Sequence, residues 1–133
     1  VLPHMRARRQ GRIVTIGSIA GFLPKPFEAF YSAAKHALEG YVESFDHELR
    51  ELGIRALLIE PGFVQSSLAT NMQHAAGRIA DYAAARGRAE ALLAEDVGGG
   101  VPPSAVAEAV LRAVTEARPP LRIRVGSDAA QLH

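Results

Sequence analysis

Two continuous apolar runs set the limits on what this chain can fold into. Ile13-Val14-Thr15-Ile16 is β-branched throughout, and Ile54-Arg55-Ala56-Leu57-Leu58-Ile59-Glu60 is stopped by Pro61-Gly62. The first lacks the alternation of a strand with one wet face, so both runs are expected to be buried strands, the first enclosed on both faces. Between them, from about Phe30 to Leu52, the period changes. Ala34, Leu38, Tyr41, Val42, Phe45, Leu49 and Leu52 recur at spacings of three and four and form one helical stripe. Glu39, Glu43, Asp46, Glu48, Arg50 and Glu51 lie mostly off that stripe, and Gly53 supplies the left-handed residue that ends a helix. A strand, a helix of about twenty residues and a second strand predict a right-handed βαβ unit in a parallel sheet.

The rest of the chain adds a third strand. Residues 65–100 are rich in Ala and Arg, with a helix expected from about Gln73 to Glu95 and a diffuse apolar pattern suited to a covering element. Gly98-Gly99-Gly100 reads as a hinge or linker. Pro102-Pro103-Ser104 starts a helix over Ala105 to Ala117 whose buried face is expected to hold Val106, Val110, Leu111 and Val114. After Pro119-Pro120, Leu121, Ile123 and Val125 alternate with Arg122 and Arg124 as a strand near an edge. Three strands are few for a parallel sheet and would leave the Ile13–Ile16 strand with a bare edge.

Composition excludes several classes of function. The 133 residues are 48% hydrophobic and 22% charged, an ordinary globular balance with room for one small domain. Fifteen basic against fourteen acidic residues give a charge of +1, which argues against a nucleic-acid partner. The dense basic run Arg6, Arg8, Arg9 and Arg12 fits a solvated helix end as well as a phosphate contact. The absence of Cys excludes disulfides, thiolate zinc sites and a Cys nucleophile, and the five His show no metal spacing. No apolar run reaches the roughly 18 to 20 residues of a membrane span, so a cytoplasmic location is the default expectation. The sequence opens on Val1, already in helical text, which leads us to expect a missing segment upstream.

Three short segments carry the chemistry. Tyr31 and Lys35 stand four apart at a helix start, so phenol and ammonium share one face. A cation there lowers the tyrosine pKa from about 10 toward the working pH and makes the phenol a usable acid or base. Tyr-x-x-x-Lys also arises by chance as a plain surface pair. Ser18 lies just past the carboxyl end of the first strand, where open α/β sheets place their ligand crevice, although a turn serine between glycines needs no function. Pro61-Gly62 ends the neighbouring strand and faces the same crevice, with Val64 able to press on a flat ligand; its bland alternative is strand-to-loop punctuation.

In order and spacing, Gly17-Ser18-Ile19-Ala20-Gly21, Tyr31-Ser32-Ala33-Ala34-Lys35 and Pro61-Gly62-Phe63-Val64-Gln65-Ser66 resemble the short-chain dehydrogenase/reductase family over about Leu2 to Ser67. The resemblance implies a doubly wound, Rossmann-like parallel sheet with flanking helices. Of this the chain would be the C-terminal, catalytic half, with 66–101 as the substrate-covering segment. It also implies hydride transfer between NAD or NADP and a carbonyl or secondary alcohol, with similarity to branches acting on lipophilic ketones. Tyr31 would exchange the proton with the substrate oxygen. Lys35 would lower the Tyr31 pKa and hold the nicotinamide ribose, and Ser18 would hydrogen-bond the substrate oxygen. Pro61, Gly62 and Val64 would line the nicotinamide, and Ser66 would bond its carboxamide. Family members are usually dimers or tetramers, so a homo-oligomer is implied as well.

The chain departs from the family pattern by lacking the glycine-rich phosphate turn, the residue that selects NAD or NADP, the Asn-Ala-Gly strand and the helix Asn of the proton relay. Two readings follow. One is the catalytic portion of an NAD(P)-dependent oxidoreductase of about 250 residues. The other is a truncated, non-catalytic piece that serves as an interaction or oligomerisation module through its bare sheet edge.

Overall fold

The structure, a computed structural model, describes residues 1–71 and 77–130. Helix α1 (Leu2–Arg8) ends with Arg9 in a left-handed conformation and turns into β1 (Gly11–Ile16). A 3-10 turn, Ile19–Gly21, leads to the long helix α2 (Ala29–Leu49) and a closing 3-10 turn, Arg50–Leu52. Gly53 then takes φ 74°, and any side chain there would run into the Arg9 carbonyl oxygen, so only glycine serves. Strand β2 (Ile54–Pro61), α3 (Leu68–Asn71), a 3-10 turn Ala80–Tyr82 and α4 (Ala83–Gly98) follow. Helix α5 (Pro103–Thr115), β3 (Arg122–Val125) and α6 (Ser127–Ala130) complete the order.

All three strands are parallel in the order β1-β2-β3, with β1 paired from Gly11↔Ile54 to Ile16↔Ile59 and β3 from Leu58↔Arg122 to Pro61↔Val125. This is the expected α/β arrangement, with β3 at an edge. The first run is not enclosed as expected. β1 is half-buried and Ile16 is 45% exposed, because among the described residues β2 is its one neighbour. Central β2 is the strand that is buried nearly throughout.

The two faces of β2 differ. Leu57 and Ile59 meet Ala109 and Ala113 of α5 with Ile123 and Val125, an apolar core flanked by Val14, Ala105, Val106 and Val110. The α5 face is therefore turned from the expected one: Leu111 is 60% exposed and Val114 lies largely outside, since Ala109 and Ala113 allow the close approach to the sheet. On the other side Ala56 and Leu58 meet Val42 with Ile13 and Phe45.

Around that smaller apolar cluster α2 buries acids. Its inward residues are Ser32, Glu39, Val42, Asp46 and Leu49, whereas Ala34 is exposed and Tyr41, stacked on Phe45, is 62% exposed. The apolar stripe is thus rotated off the buried one, because the strands present Arg55, Glu60 and Arg122 to this side and charged groups on α2 answer them. Asp46, fully buried, accepts from Arg55 Nε at 2.7 Å, Arg50 Nη2 at 2.8 Å and the Ala56 N–H at 3.0 Å. Burial works against its charge, yet the bonds from Arg55 and Ala56 and the nearby guanidiniums hold its carboxyl below the ordinary aspartate range.

At the amino ends of the strands the C-termini of α1, α2 and α5 converge on an open cavity of about 660 Å³ lined by Arg8, Arg12, Arg50, Arg55 and Arg118. Arginines cap the carbonyls there: Arg9 donates to Glu51 O (2.6 Å), Arg12 to Glu116 O (2.8 Å) and Arg55 to Pro119 O (3.4 Å). Helix C-termini favour cations, which accounts for Arg9 and Arg12 of the basic run.

The expected helix from Gln73 departs from the structure. Residues 72–76 lie outside the described residues, 77–79 are not helical, and α4 begins at Ala83. No residue of α4 is buried, consistent with its diffuse pattern. Gly98-Gly99-Gly100 is no linker: Gly98 ends α4, Gly99 caps it, and a Cβ on Gly100 would lie 2.5 Å from Phe63 O. That close approach lets Val101 bridge Val64, with Val101 N–H donating to Phe63 O and Gln65 N–H to Val101 O, each at 2.9 Å. Among the described residues no helix is long and apolar enough to cross a membrane.

Candidate active site

The carboxyl ends of β1 and β2 open into a cavity of about 300 Å³ with mostly apolar walls. Ser18, Tyr31, Lys35, Pro61, Gly62, Val64 and Ser66 all line it, so the structure brings every candidate from the sequence into one place.

Ser18 leaves β1 in extended backbone, and its Oγ accepts from the Ala20 N–H at 3.1 Å as the cap of the 3-10 turn. With that lone pair occupied, the hydroxyl hydrogen remains to donate into the cavity. Pro24 and Pro26 keep the following residues out of a helix, and the chain turns where the Glu28 N–H donates to Lys25 O. Phe27 then takes φ 64°, strained for an aromatic residue, and the Glu28 carbonyl accepts from Ser32 N–H as α2 begins. Tyr31 and Lys35 consequently stand in the first two turns of α2, one above the other.

Lys35 Nζ donates to Ile16 O at 3.1 Å and lies 5.7 Å from the centroid of the Tyr31 ring. The bond ties α2 to the end of β1. Burial lowers the Lys35 pKa from its ordinary value. The Tyr31 phenol thus opens on the cavity beside an ammonium, in reach of a bound ligand. On the opposite wall Pro61 is buried, the Gly62 N–H donates to Val125 O at 2.9 Å, and Val64 is fixed by its bridge to Val101.

Several lining residues escape sequence reasoning. Phe63 forms part of the wall under Lys25, whose Nζ sits 3.7 Å over its ring. Leu93 and Val97 of α4 also reach the cavity, and their spacing of four in an Ala-rich helix was the one signal available. Phe27 and Tyr82 meet edge to face with centroids 6.4 Å apart, which joins the loop before α2 to the covering segment. Lys25 and Phe27 carry no pattern that marks them.

A nicotinamide ring, the group the sequence resemblance implies, is compatible with these walls. Pro61 to Val64 give it a mainly apolar backing, the Ser66 side chain lines the same wall, and Tyr31 and Lys35 stand across the cavity. The Gly-x-x-x-Gly-x-Gly turn that would cradle a pyrophosphate is not in this sequence.

A family model described as short chain dehydrogenase matches residues 1–77. A 3-ketodihydrosphingosine reductase from Bacteroides thetaiotaomicron is 34% identical over 128 residues, covering 95% of this chain and 48% of the relative. A short-chain dehydrogenase from Streptomyces avermitilis superposes with a TM-score of 0.75 at 30% identity, over 98% of this chain and 47% of that one. A Burkholderia phymatum short-chain dehydrogenase/reductase solved in complex with NAD gives 0.73 at 27% identity, over 92% and 46%. The chain spans about half the length of the relatives it matches. With more than half of its residues under the family model, and a three-stranded parallel sheet that follows the solved relatives, this chain belongs to the short-chain dehydrogenase family.

Proposed function

We propose that this chain is the catalytic part of an NAD(P)-dependent oxidoreductase acting on a ketone or secondary alcohol. The observation that carries the reading is the shared cavity: a hydroxyl, a phenol and an ammonium face one apolar wall at the carboxyl ends of two parallel strands. The nicotinamide supplies or accepts the hydride when bound.

Tyr31 gives its phenolic proton to the carbonyl oxygen during reduction and recovers it from the alcohol during oxidation. Lys35, held by Ile16 O, offers its remaining hydrogens to the nicotinamide ribose. Ser18 donates to the substrate oxygen and stabilises the charge that develops there. Pro61, Gly62 and Val64 back the nicotinamide, and Ser66 bonds its carboxamide. Substrate lies against Phe63, Leu93 and Val97 under the segment 66–101, which favours a lipophilic molecule, and the complete protein is a homo-oligomer.

A titration of the 133-residue chain with reduced nicotinamide mononucleotide, followed by amide NMR shifts, tests the binding half of this reading. The expected result is binding of about millimolar strength, equivalent to roughly 4 kcal/mol, with shifts at Ser18, Tyr31, Lys35, Gly62 and Val64. Shifts confined to other surfaces would sink the assignment. In an active preparation, Tyr31→Phe lowers carbonyl reduction about 10²- to 10⁴-fold, and full activity in that variant would remove Tyr31 from the chemistry.

A second reading, an interaction module, draws on the edge of β1 that no strand among the described residues covers and on Phe30, which is 95% exposed on α2. Binding of the mononucleotide in the Ser18 cavity favours the oxidoreductase over this module.

A further inference from the structure

Directly beneath the Ser18 loop, α2 and the ends of β2 and β3 enclose a group of charged side chains. Glu60 of β2 is 0% and Glu39 of α2 is 9% exposed, with Glu43 of α2 at the rim. Arg122 and Arg124 of β3 supply the cations. Arg122 Nε lies 3.1 Å from Glu39 Oε2 and 3.2 Å from Glu60 Oε1, and its Nη2 lies 2.9 Å from Glu43 Oε2. Arg124 Nε lies 3.4 Å from Glu60 Oε2. Among the described residues three carboxyls therefore face two guanidiniums, and one negative charge is in excess when all are ionised.

Two oxygens mark where the excess resides. Oε1 of Glu39 and Oε1 of Glu60 are buried and receive no hydrogen bond, and both carboxyl groups crowd the single Arg122 Nε. One proton between them removes the excess charge and gives an unsatisfied oxygen a donor. Buried like charges favour that outcome. Burial and the neighbouring Glu39 accordingly push the Glu60 carboxyl up to about 7, against the opposing pull of Arg124 and Arg122.

Glu39 of the pair is also the floor of the Ser18 loop. Glu39 Oε1 would be 2.8 Å from a Cβ at Gly21 and 3.5 Å from one at Gly17, and the Arg124 guanidinium lies 5.1 Å over the Phe22 ring. The turn itself carries no charge from Ser18 to Phe22, and Lys35 Nζ is directed to Ile16 O. We propose that Glu39 and Glu60 share one proton and, so joined, are positioning residues that set the Ser18 loop against Tyr31. Loss of the proton leaves two like charges side by side, which drives Glu39 away from Glu60 and shifts the support under Gly17 and Gly21. The consequence for catalysis rests on the oxidoreductase reading of Ser18; the proton-linked loop geometry does not.

NMR of the 133-residue chain without cofactor, from about pH 5 to pH 9, tests this directly by bracketing a carboxyl far from its usual range. The side-chain carboxyl carbon of Glu60 is expected to titrate near neutrality, with the amides of Gly17, Gly21 and Phe22 following. Glu60→Gln should freeze those amides at their low-pH positions. Glu39→Gln should move the remaining midpoint down by about one unit or more, and it carries the comparison if the first variant does not fold. Amides that stay flat while Glu60 titrates overturn the positioning role, and an ordinary carboxylate midpoint for Glu60 overturns the shared proton. Failure to bind nicotinamide with this titration intact breaks the functional reading alone.

Discussion

The two faces of β2 are covered by helices of comparable regularity and built on opposite principles. Toward α5 the contacts are apolar, with Ala109 and Ala113 letting the helix sit close over Leu57 and Ile59. Toward α2 a small apolar cluster is bracketed by ion networks, Asp46 at one end and Glu39 with Glu60 at the other. The α5 face is held by area removed from water, which is indifferent to detail within limits. The α2 face is held by paired charges that tolerate no missing partner. It is also the face whose helix bears Tyr31 and Lys35, so the rigid pairing stands behind the site.

The sharpest way to break this comparison is to remove one buried charge. Asp46→Ala leaves Arg55 and the Ala56 N–H without their acceptor and should cost about 3–5 kcal/mol in urea unfolding. A loss under about 1 kcal/mol would mean that the polar network contributes little to stability. On the apolar face Leu57→Ala should cost about 3 kcal/mol through the cavity it leaves, with an unchanged denaturant slope. Gly100→Ala should cost about 2 kcal/mol, because the new methyl meets the Phe63 carbonyl and must push Val101 off its bridge. Increased protease cleavage confined to 77–101 would place that damage in the covering segment.

The effect of pH is smaller and separates the two ends of the α2 face. Glu60 is raised in the folded chain, so its contribution to stability is complete below 4.5 and is lost as pH rises through about 7. Asp46 is lowered, so its contribution is present above 3.8 and is lost as pH falls below that value. Unfolding followed across pH should show both slopes in the wild type, and Glu60→Gln should remove the one near neutrality. Smallest of all, Leu111→Ala on the outer side of α5 should stay within about 0.5 kcal/mol; a larger loss would return Leu111 to a buried face.

Much of the fold was legible because its signals are local. The run 13–16, the helical period after Phe30 and the stops at Gly53 and Pro61-Gly62 each depend on neighbours a few residues away. The candidate site was legible for the same reason: a serine after a strand, a Tyr and Lys one turn apart, and a Pro-Gly after the next strand all converge once the strands are parallel. What stayed hidden depends on partners far along the chain. Arg122 reaches Glu39 across 83 residues and Arg55 meets the Pro119 carbonyl across 64, and neither spacing is periodic. Leu111 was misplaced because a helix wheel ranks residues by hydrophobicity, whereas the sheet chose the small side of α5. Phe63 and Lys25 joined the cavity through a ring–cation contact that no motif encodes.

The sequence alone determined the order of strands and helices, the parallel pairing and the residues that meet at the carboxyl ends of β1 and β2, because hydrophobic period and turn chemistry act over short range. Only the tertiary structure decided which acids are buried, which face of each helix meets the sheet and what lies beneath the Ser18 loop. Burial of a charge is settled by whether a distant partner arrives to offset its lost hydration, and the chain supplies that partner only when it folds.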